Sequence, residues 1–280
     1  MISSLRTEIE QIAHDAGAEQ FGVAFHDYET HQSWSCHGDL WFHAASTIKM
    51  PVLLGVYGAI HEGLLSEESR VHVRNRFFSV VDGSRFRVDA SRDPNSEVQR
   101  AIGRTMKVQE LAHHMIATSS NLATNLLIDV IGIEEMRRIL APLHLDGVEL
   151  RRGVEDELAW QAGLNNRVTA HGLLHALRLI GEEQAYSADV CRRMLDLLHQ
   201  QQFKDGIPAG LPEGARVAHK TGEISTAAHD AGIVFLPDRE PYVLAVLTQW
   251  PPEGGRRHEV IARISQSVFE HLRAAEEELA

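Results

Sequence analysis

Cysteine is scarce in this chain, with two residues, Cys36 and Cys191, among 280. Two thiols so far apart do not make a small disulfide scaffold, and the expectation is a pair of buried free thiols. Spacing alone leaves open whether their Cα atoms come near enough to pair. No run of 18 apolar residues occurs, so no membrane-spanning helix is expected. The opening Met1-Ile2-Ser3-Ser4-Leu5-Arg6-Thr7-Glu8 lacks a basic segment followed by an apolar stretch, so no signal peptide is visible. A soluble protein follows, cytoplasmic as the sequence stands and periplasmic or secreted if a leader has been trimmed. Positive charge is also short: 27 Lys and Arg stand against 39 Asp and Glu, a formal net charge of −12. That balance argues against nucleic acid or an anionic membrane surface as partner. H-E-x-x-H, H-x-H-x-D and C-x-x-C are absent, and neighbouring His113 and His114 would point about 100° apart on a helix. No metal and no cofactor is therefore expected. Without a G-x-S-x-G elbow, an α/β-hydrolase is excluded as well.

What is present fits a sizeable core in one domain, with an ordinary 44 % hydrophobic and 24 % charged composition. Leu5, Ile9, Ile12 and Ala13 recur at helical spacing up to Gly17. Phe21–Tyr28 alternates like a half-buried strand, and Ser33–Gly38 returns antiparallel to it. The apolar run from Val52 to Leu65 predicts a helix buried on all sides, and Pro51 tightens or kinks its first turn. Residues 66–105, broken by Gly, Pro, Asp and Arg, predict a long surface excursion with little regular structure. Further helices are expected at 108–116, from Ser120 to Asp129, at 133–140, from Thr169 to Ile180 and from Ser187 to Gln201. Residues 151–167 read as a loop. Strands return at 216–220, 231–235 and 242–248, with turns at 223–225 and 237–239. Ile261, Ile264, Ser265 and Val268 mark a closing helix, and the acidic Glu276–Glu278 is expected to fray. The fold class is therefore α+β, an antiparallel sheet of about five strands built from both chain ends, flanked by helices, with an all-helical insertion. One domain is expected, split into an α/β subdomain (1–65 plus 205–280) and a mainly helical one (66–204).

Three short polar patterns sit where chemistry would need them. Ser46-Thr47-Ile48-Lys49 places a hydroxyl and an amine one helical turn apart, on one face. A serine is a poor nucleophile until a base takes its proton. Burial against the following apolar run disfavours an ammonium, so Lys49 is a proton acceptor near neutral pH. Ser119-Ser120-Asn121 offers a hydroxyl and an amide at a helix–helix junction. Lys220-Thr221-Gly222 ends a strand with a positive charge and two small residues that let a ligand approach the backbone. His219 would face away from Lys220, which favours a structural role, and His229-Asp230 begins the next strand, where a capping or sheet-edge role is favoured over a turn toward the site.

In this order, S-x-x-K, S-x-N and K-T-G resemble the serine penicillin-recognising family of class A β-lactamases and penicillin-binding proteins. The resemblance spans nearly the whole chain and implies a β-lactamase/transpeptidase-like fold. It also implies roles. Ser46 is the acylated nucleophile and Lys49 its proton acceptor. Ser119 passes a proton to the leaving nitrogen, and Asn121 binds the substrate's side-chain amide. Lys220 and Thr221, with Gly222 beside them, bind the substrate carboxylate, and the N–H groups of Ser46 and Glu223 form the oxyanion hole. Glu155-Asp156-Glu157-Leu158-Ala159 resembles the family's E-x-E-L-N segment, 36 residues after Ser119. It makes Glu155 the candidate base for deacylation, with Ala159 in place of the Asn that helps hold the water and Asn165 or Asn166 as substitutes. Ser120 stands where Asp is usual, and the 66–105 excursion is longer than in typical members. With R-R-G-V-E-D, G-L-N-N and H-K-T-G-E-I, the pattern is most similar to β-lactamase-related serine hydrolases.

The expected function is thus a serine hydrolase opening β-lactam rings, a monomer acting on a small-molecule substrate. A D,D-peptidase or small-ester hydrolase is the alternative within the same chemistry. A penicillin-binding sensor that acylates without turnover is the alternative outside it.

Overall fold

The computed structural model describes residues 2–252 and 254–279. In chain order its helices are α1 (Ile2–Ala16), α2 (Lys49–His61), α3 (Ser96–Arg100), α4 (Val108–Ala117), α5 (Asn121–Ile131) and α6 (Ile133–Leu140), followed by α7 (Glu157–Gln161), α8 (Ala170–Gly181), α9 (Ala188–His199) and α10 (Arg257–Leu279). The strands of its main sheet are β1 (Gln20–Asp27), β2 (Ser33–Cys36), β3 (Arg216–Ile224), β4 (Ala227–Leu236) and β5 (Arg239–Gln249). Two compact units result. One comprises Met1–Thr47, Val168–Arg178 and Phe203–Ala280, the other Ile48–Arg167 and Leu179–Gln202.

The first unit holds the sheet, antiparallel in the order β3-β4-β5-β1-β2, so the two chain ends build it together as expected. β1 and β5 pair without interruption from Gln20↔Gln249 to Asp27↔Tyr242. The reason is apolar continuity: Val23, Ala24 and Phe25 in β1 and Val243 to Leu247 in β5 are fully buried. α1 contributes Leu5, Ile9 and Ile12, and α10 contributes Ile261, Ile264, Val268 and Leu272, to one core with Phe25, Tyr242 and Trp250. Each such side chain stabilises by about 1.5–3 kcal/mol through burial. The strands outrun their expected ends. β3 continues through Glu223 and Ile224, and only Ser225 and Thr226 turn the chain. Polar residues there read as a break, yet the ladder carries them: Thr221↔Asp230 and Glu223↔Ala228 are paired. α10 likewise continues through Glu276–Glu278 instead of fraying. Glu276 pairs with Arg239 at 2.7 Å and with Arg273 one turn back.

The second unit is mainly helical and packs around α2, whose residues Lys49 to Ala59 are all buried. A Cβ on Gly55 would meet Met136 Cγ at 2.5 Å, so the absent side chain is what admits α6. Polar caps start the helices as the sequence predicts. Ser120 Oγ accepts from Ala123 N at 3.1 Å and Ser187 Oγ from Val190 N at 3.4 Å. The 66–105 excursion departs from expectation. It contains antiparallel pairs between 70–72 and 105–107 and between 77–78 and 85–86, and Asn95 caps α3 through Glu97 N and Val98 N. These ladders are two or three residues long, too short for any periodicity to announce them, and the first joins segments more than thirty residues apart. The 151–167 loop also carries α7, capped by Asp156.

Candidate active site

Each unit holds part of the candidate set, and the chain joins them at Ser46 to Lys49. Ser46 lies in a 3₁₀ turn, Ala45–Ile48, with α2 starting at Lys49. The expected helix through both residues is corrected to a tight 3₁₀ turn that carries Ser46, with Lys49 opening α2. Ala45 adopts φ +45°, and its N–H donates to His43 Nδ1 at 3.0 Å. Thr47 N closes the turn on Ala44 O at 3.0 Å. His43 is itself anchored: its carbonyl lies 2.9 Å from His229 Nε2, while His229 Nδ1 accepts from Thr248 N at 3.2 Å. His229 sits inside β4, an inner strand, not at a sheet edge. Burial lowers its pKa to about 4, so it is neutral and donates from Nε2. The sequence did not single out this support for the Ser46 turn.

β3 is an edge strand of the sheet, paired among the described residues with β4, and presents one row of backbone groups. Lys220, Thr221 and Gly222 lie within it and not at its end. A Cβ on Gly222 would sit 3.0 Å from Ser46 N and 2.8 Å from Thr47 N, which ties this glycine to the serine turn. Lys220 is fully buried and its Nζ donates to Thr221 O at 2.8 Å. His219 points to the other face, with Nδ1 2.9 Å from Asp230 Oδ1. Glu223 Oε2 lies 3.0 Å from His258 Nε2, which holds the carboxyl below and the imidazole above their ordinary pKa values.

In the second unit, Lys49 Nζ is fully buried and donates to Ser119 O at 2.6 Å, to Ser119 Oγ at 3.1 Å and to Asn121 Oδ1 at 2.7 Å. Burial lowers its pKa to about 7, with the carboxylates of Asp93 and Glu155 pulling the other way. Asn121 Nδ2 in turn donates to Glu155 Oε1 at 2.8 Å, and Asp89 N donates to Glu155 Oε2 at 2.9 Å. Ser119 and Glu155 both carry positive φ, +57° and +62°, the backbone strain that non-glycine residues rarely hold without surrounding support. Lys49, Ser119, Asn121 and Glu155 are thus one connected network. Asn165 and Asn166 do not join it. Asn165 accepts from Arg152 Nη2, and Asn166 bonds Arg151 N, Arg152 N and Arg152 O. Asn121, read as a substrate contact, is also what reaches Glu155. The excursion supplies residues the sequence reading passed over, Asp89 and Asp93, whose only signal was the turn-forming Asp93-Pro94-Asn95.

Residues 4–272 match the profile of the β-lactamase enzyme family. The chain belongs to that family. It is 28 % identical to a β-lactamase of Bacteroides uniformis over 60 % of this chain, spanning 61 % of that relative's length. A Bacillus licheniformis β-lactamase is also 28 % identical, over 82 % of this chain and 73 % of its own. Among solved structures, a variant of PBP-A in an acyl-enzyme complex with penicillin G superposes with a TM-score of 0.83, at 27 % identity and 97 % coverage of both chains. The resemblance read from the three motifs, the α+β fold and the assignment to the β-lactamase hydrolases are borne out. As expected, both cysteines are free and buried, and no described helix is long and apolar enough to cross a membrane. Metal was not expected. Among the described residues, Glu10, Cys36 and His37 bring potential ligand atoms within 4.8 Å of one another, but Arg6 Nε already lies 3.0 Å from Glu10 Oε1 as a cation there.

Proposed function

We propose that this member of the family opens β-lactam rings through an acyl-Ser46 intermediate. The observation that carries the reading is Lys49: a fully buried amine with its pKa lowered to about 7, hydrogen-bonded to Ser119 Oγ and linked through Asn121 to Glu155. As a free base it accepts the Ser46 proton while Oγ attacks the lactam carbonyl carbon. The C–N bond then breaks, and the proton passes from Lys49 through the Ser119 hydroxyl to the leaving nitrogen. Lys220 and Thr221 take the substrate carboxylate, Gly222 admits the acyl group to the β3 edge, and the N–H groups of Ser46 and Glu223 hold the oxyanion, a contribution worth about 10²–10³ in rate. Glu155 takes a proton from the water that attacks the acyl carbon, the bond from that carbon to Ser46 Oγ breaks, and the proton returns to Oγ, which frees the opened acid and regenerates Ser46. The chain acts as a monomer on a small-molecule substrate.

A second reading keeps the acylation and removes the turnover, giving a D,D-peptidase or a sensor. It is favoured by Ala159 in the E-x-E-L-N position and by a Glu155 carboxylate already engaged on both oxygens. Intact-protein mass over time after mixing with a penicillin and a chromogenic cephalosporin decides, with Ser46→Ala as control. A transient adduct that vanishes as substrate is consumed supports hydrolysis, a lasting adduct supports the second reading, and no adduct with either compound overturns both.

A further inference from the structure

The motif position where the family usually carries Asp is held here by Ser120, the N-cap of α5. A helix start leaves four backbone donors unsatisfied. Ser120 Oγ serves one, Ala123 N. Asn121 N and Leu122 N point instead at Asp93: its Oδ1 accepts from Asn121 N at 3.1 Å and its Oδ2 from Leu122 N at 3.0 Å. Asp93 Oδ2 also accepts from Ser120 Oγ at 3.3 Å and from Gln99 Nε2 at 3.2 Å, and Oδ1 accepts from Asn95 N. The carboxylate is buried, with the residue 8 % exposed. It also meets the positive end of the α5 dipole, where a negative charge is favoured. We propose that Asp93, from the long excursion, supplies across the chain the carboxylate that position 120 lacks. In doing so it holds Ser119 and Asn121 in the conformation that engages Lys49.

Asp93 is a positioning residue in this account, since it touches none of the reacting atoms. Its bonds run to the Ser120 hydroxyl and to the backbone N–H groups of Asn121 and Leu122, immediately after Ser119 and at Asn121, the two residues to which Lys49 Nζ donates. The strained φ of Ser119 gives those bonds a task, because a left-handed serine relaxes unless its flanks are held. Asp93 acts on Lys49 in a second way, its charge opposing the desolvation that lowers the lysine. Of the groups facing Lys49, Ser119 and Asn121 are neutral and Glu155 is the other carboxylate.

The inference rests on the proposed function for its kinetic arm and is independent of it in a second arm. Wild type, Asp93→Asn and Asp93→Asn/Ser120→Asp are compared by the rate of Ser46 acylation from pH 5 to 9 and by hydrogen exchange over residues 119–126. Asp93→Asn is expected to slow acylation about tenfold or more and to speed exchange at Asn121 and Leu122. Losing the charge lowers the Lys49 pKa further, so the acid limb of the profile moves to lower pH, a shift that a general loosening of the fold does not produce. The double variant, which returns a carboxylate to the cap, is expected to recover rate, exchange and limb together. Acylation within twofold of wild type with an unmoved limb in Asp93→Asn overturns the proposal, as does a double variant no better than the single. Should Asp93→Asn fail to fold, a folded and reactive double variant supports the replacement and an unfolded one overturns it. If wild type forms no adduct, the proposed function fails, and unchanged exchange in Asp93→Asn then overturns this inference separately.

Discussion

The sheet unit and the helical unit contribute to the candidate chemistry in different currencies. Beside the buried Lys220 amine, the sheet unit offers shape: an edge strand, a glycine that lets β3 come close to the Ser46 turn, and a neutral histidine behind that turn. The helical unit offers charge: a buried amine, the carboxylate of Glu155 and the amide that joins them, with Asp93 beneath. Shape depends on sterics and is indifferent to pH, while a desolvated ion network is set by proton equilibria. The difference says that the two units fail in distinguishable ways.

The most severe break is Ser46→Ala, after which no adduct forms with any β-lactam by intact mass, although both units fold as before. Next is Lys49→Met on the helical side, expected to slow acylation by about 10²–10⁴, the usual reach of a positioned base. Its counterpart on the sheet side is Gly222→Ala, whose Cβ would stand 2.8 Å from Thr47 N. A displacement of about 1 Å there costs on the order of 10²-fold in kcat/KM, and the loss is the same at pH 6 and pH 9. If the Gly222→Ala loss varied with pH, the separation of shape from charge would fall. In wild type, acylation rises with pH through about 7 as Lys49 loses its proton and falls about tenfold per unit below it; a rate flat across that range would remove Lys49 as the base. The smallest effect is Ser120→Ala, which deletes one cap of α5 and lowers stability by about 1 kcal/mol in a denaturant titration.

The sheet was legible because its signals are local. Phe21–Tyr28 and Tyr242–Thr248 alternate or run apolar along their length, and the pairing of first and last strands follows from needing one buried face. Ser46, Lys49 and Lys220-Thr221-Gly222 were legible as patterns, and so was the lowered Lys49, because the apolar run that buries it is adjacent in sequence. The excursion was not legible. One of its ladders joins segments more than thirty residues apart, as in Arg70↔Lys107, the other is a two-residue hairpin pairing, Phe77↔Phe86 and Phe78↔Arg85, and its important residue is one aspartate among many. Nor could the partner of Glu155 be read. Asn121 reaches it across 34 positions.

By itself the sequence determined the family and the α+β class, and it offered Ser46 and Lys49 as candidate nucleophile and base, since each rests on periodicity or on residues within one turn of each other. Only the tertiary structure decided which groups those residues touch. Asp93 under α5, Asn121 between Lys49 and Glu155, and His229 behind the Ser46 turn are meetings of distant segments. The physical reason is that a buried polar group must find a partner wherever the packed chain offers one, and sequence distance does not enter that requirement.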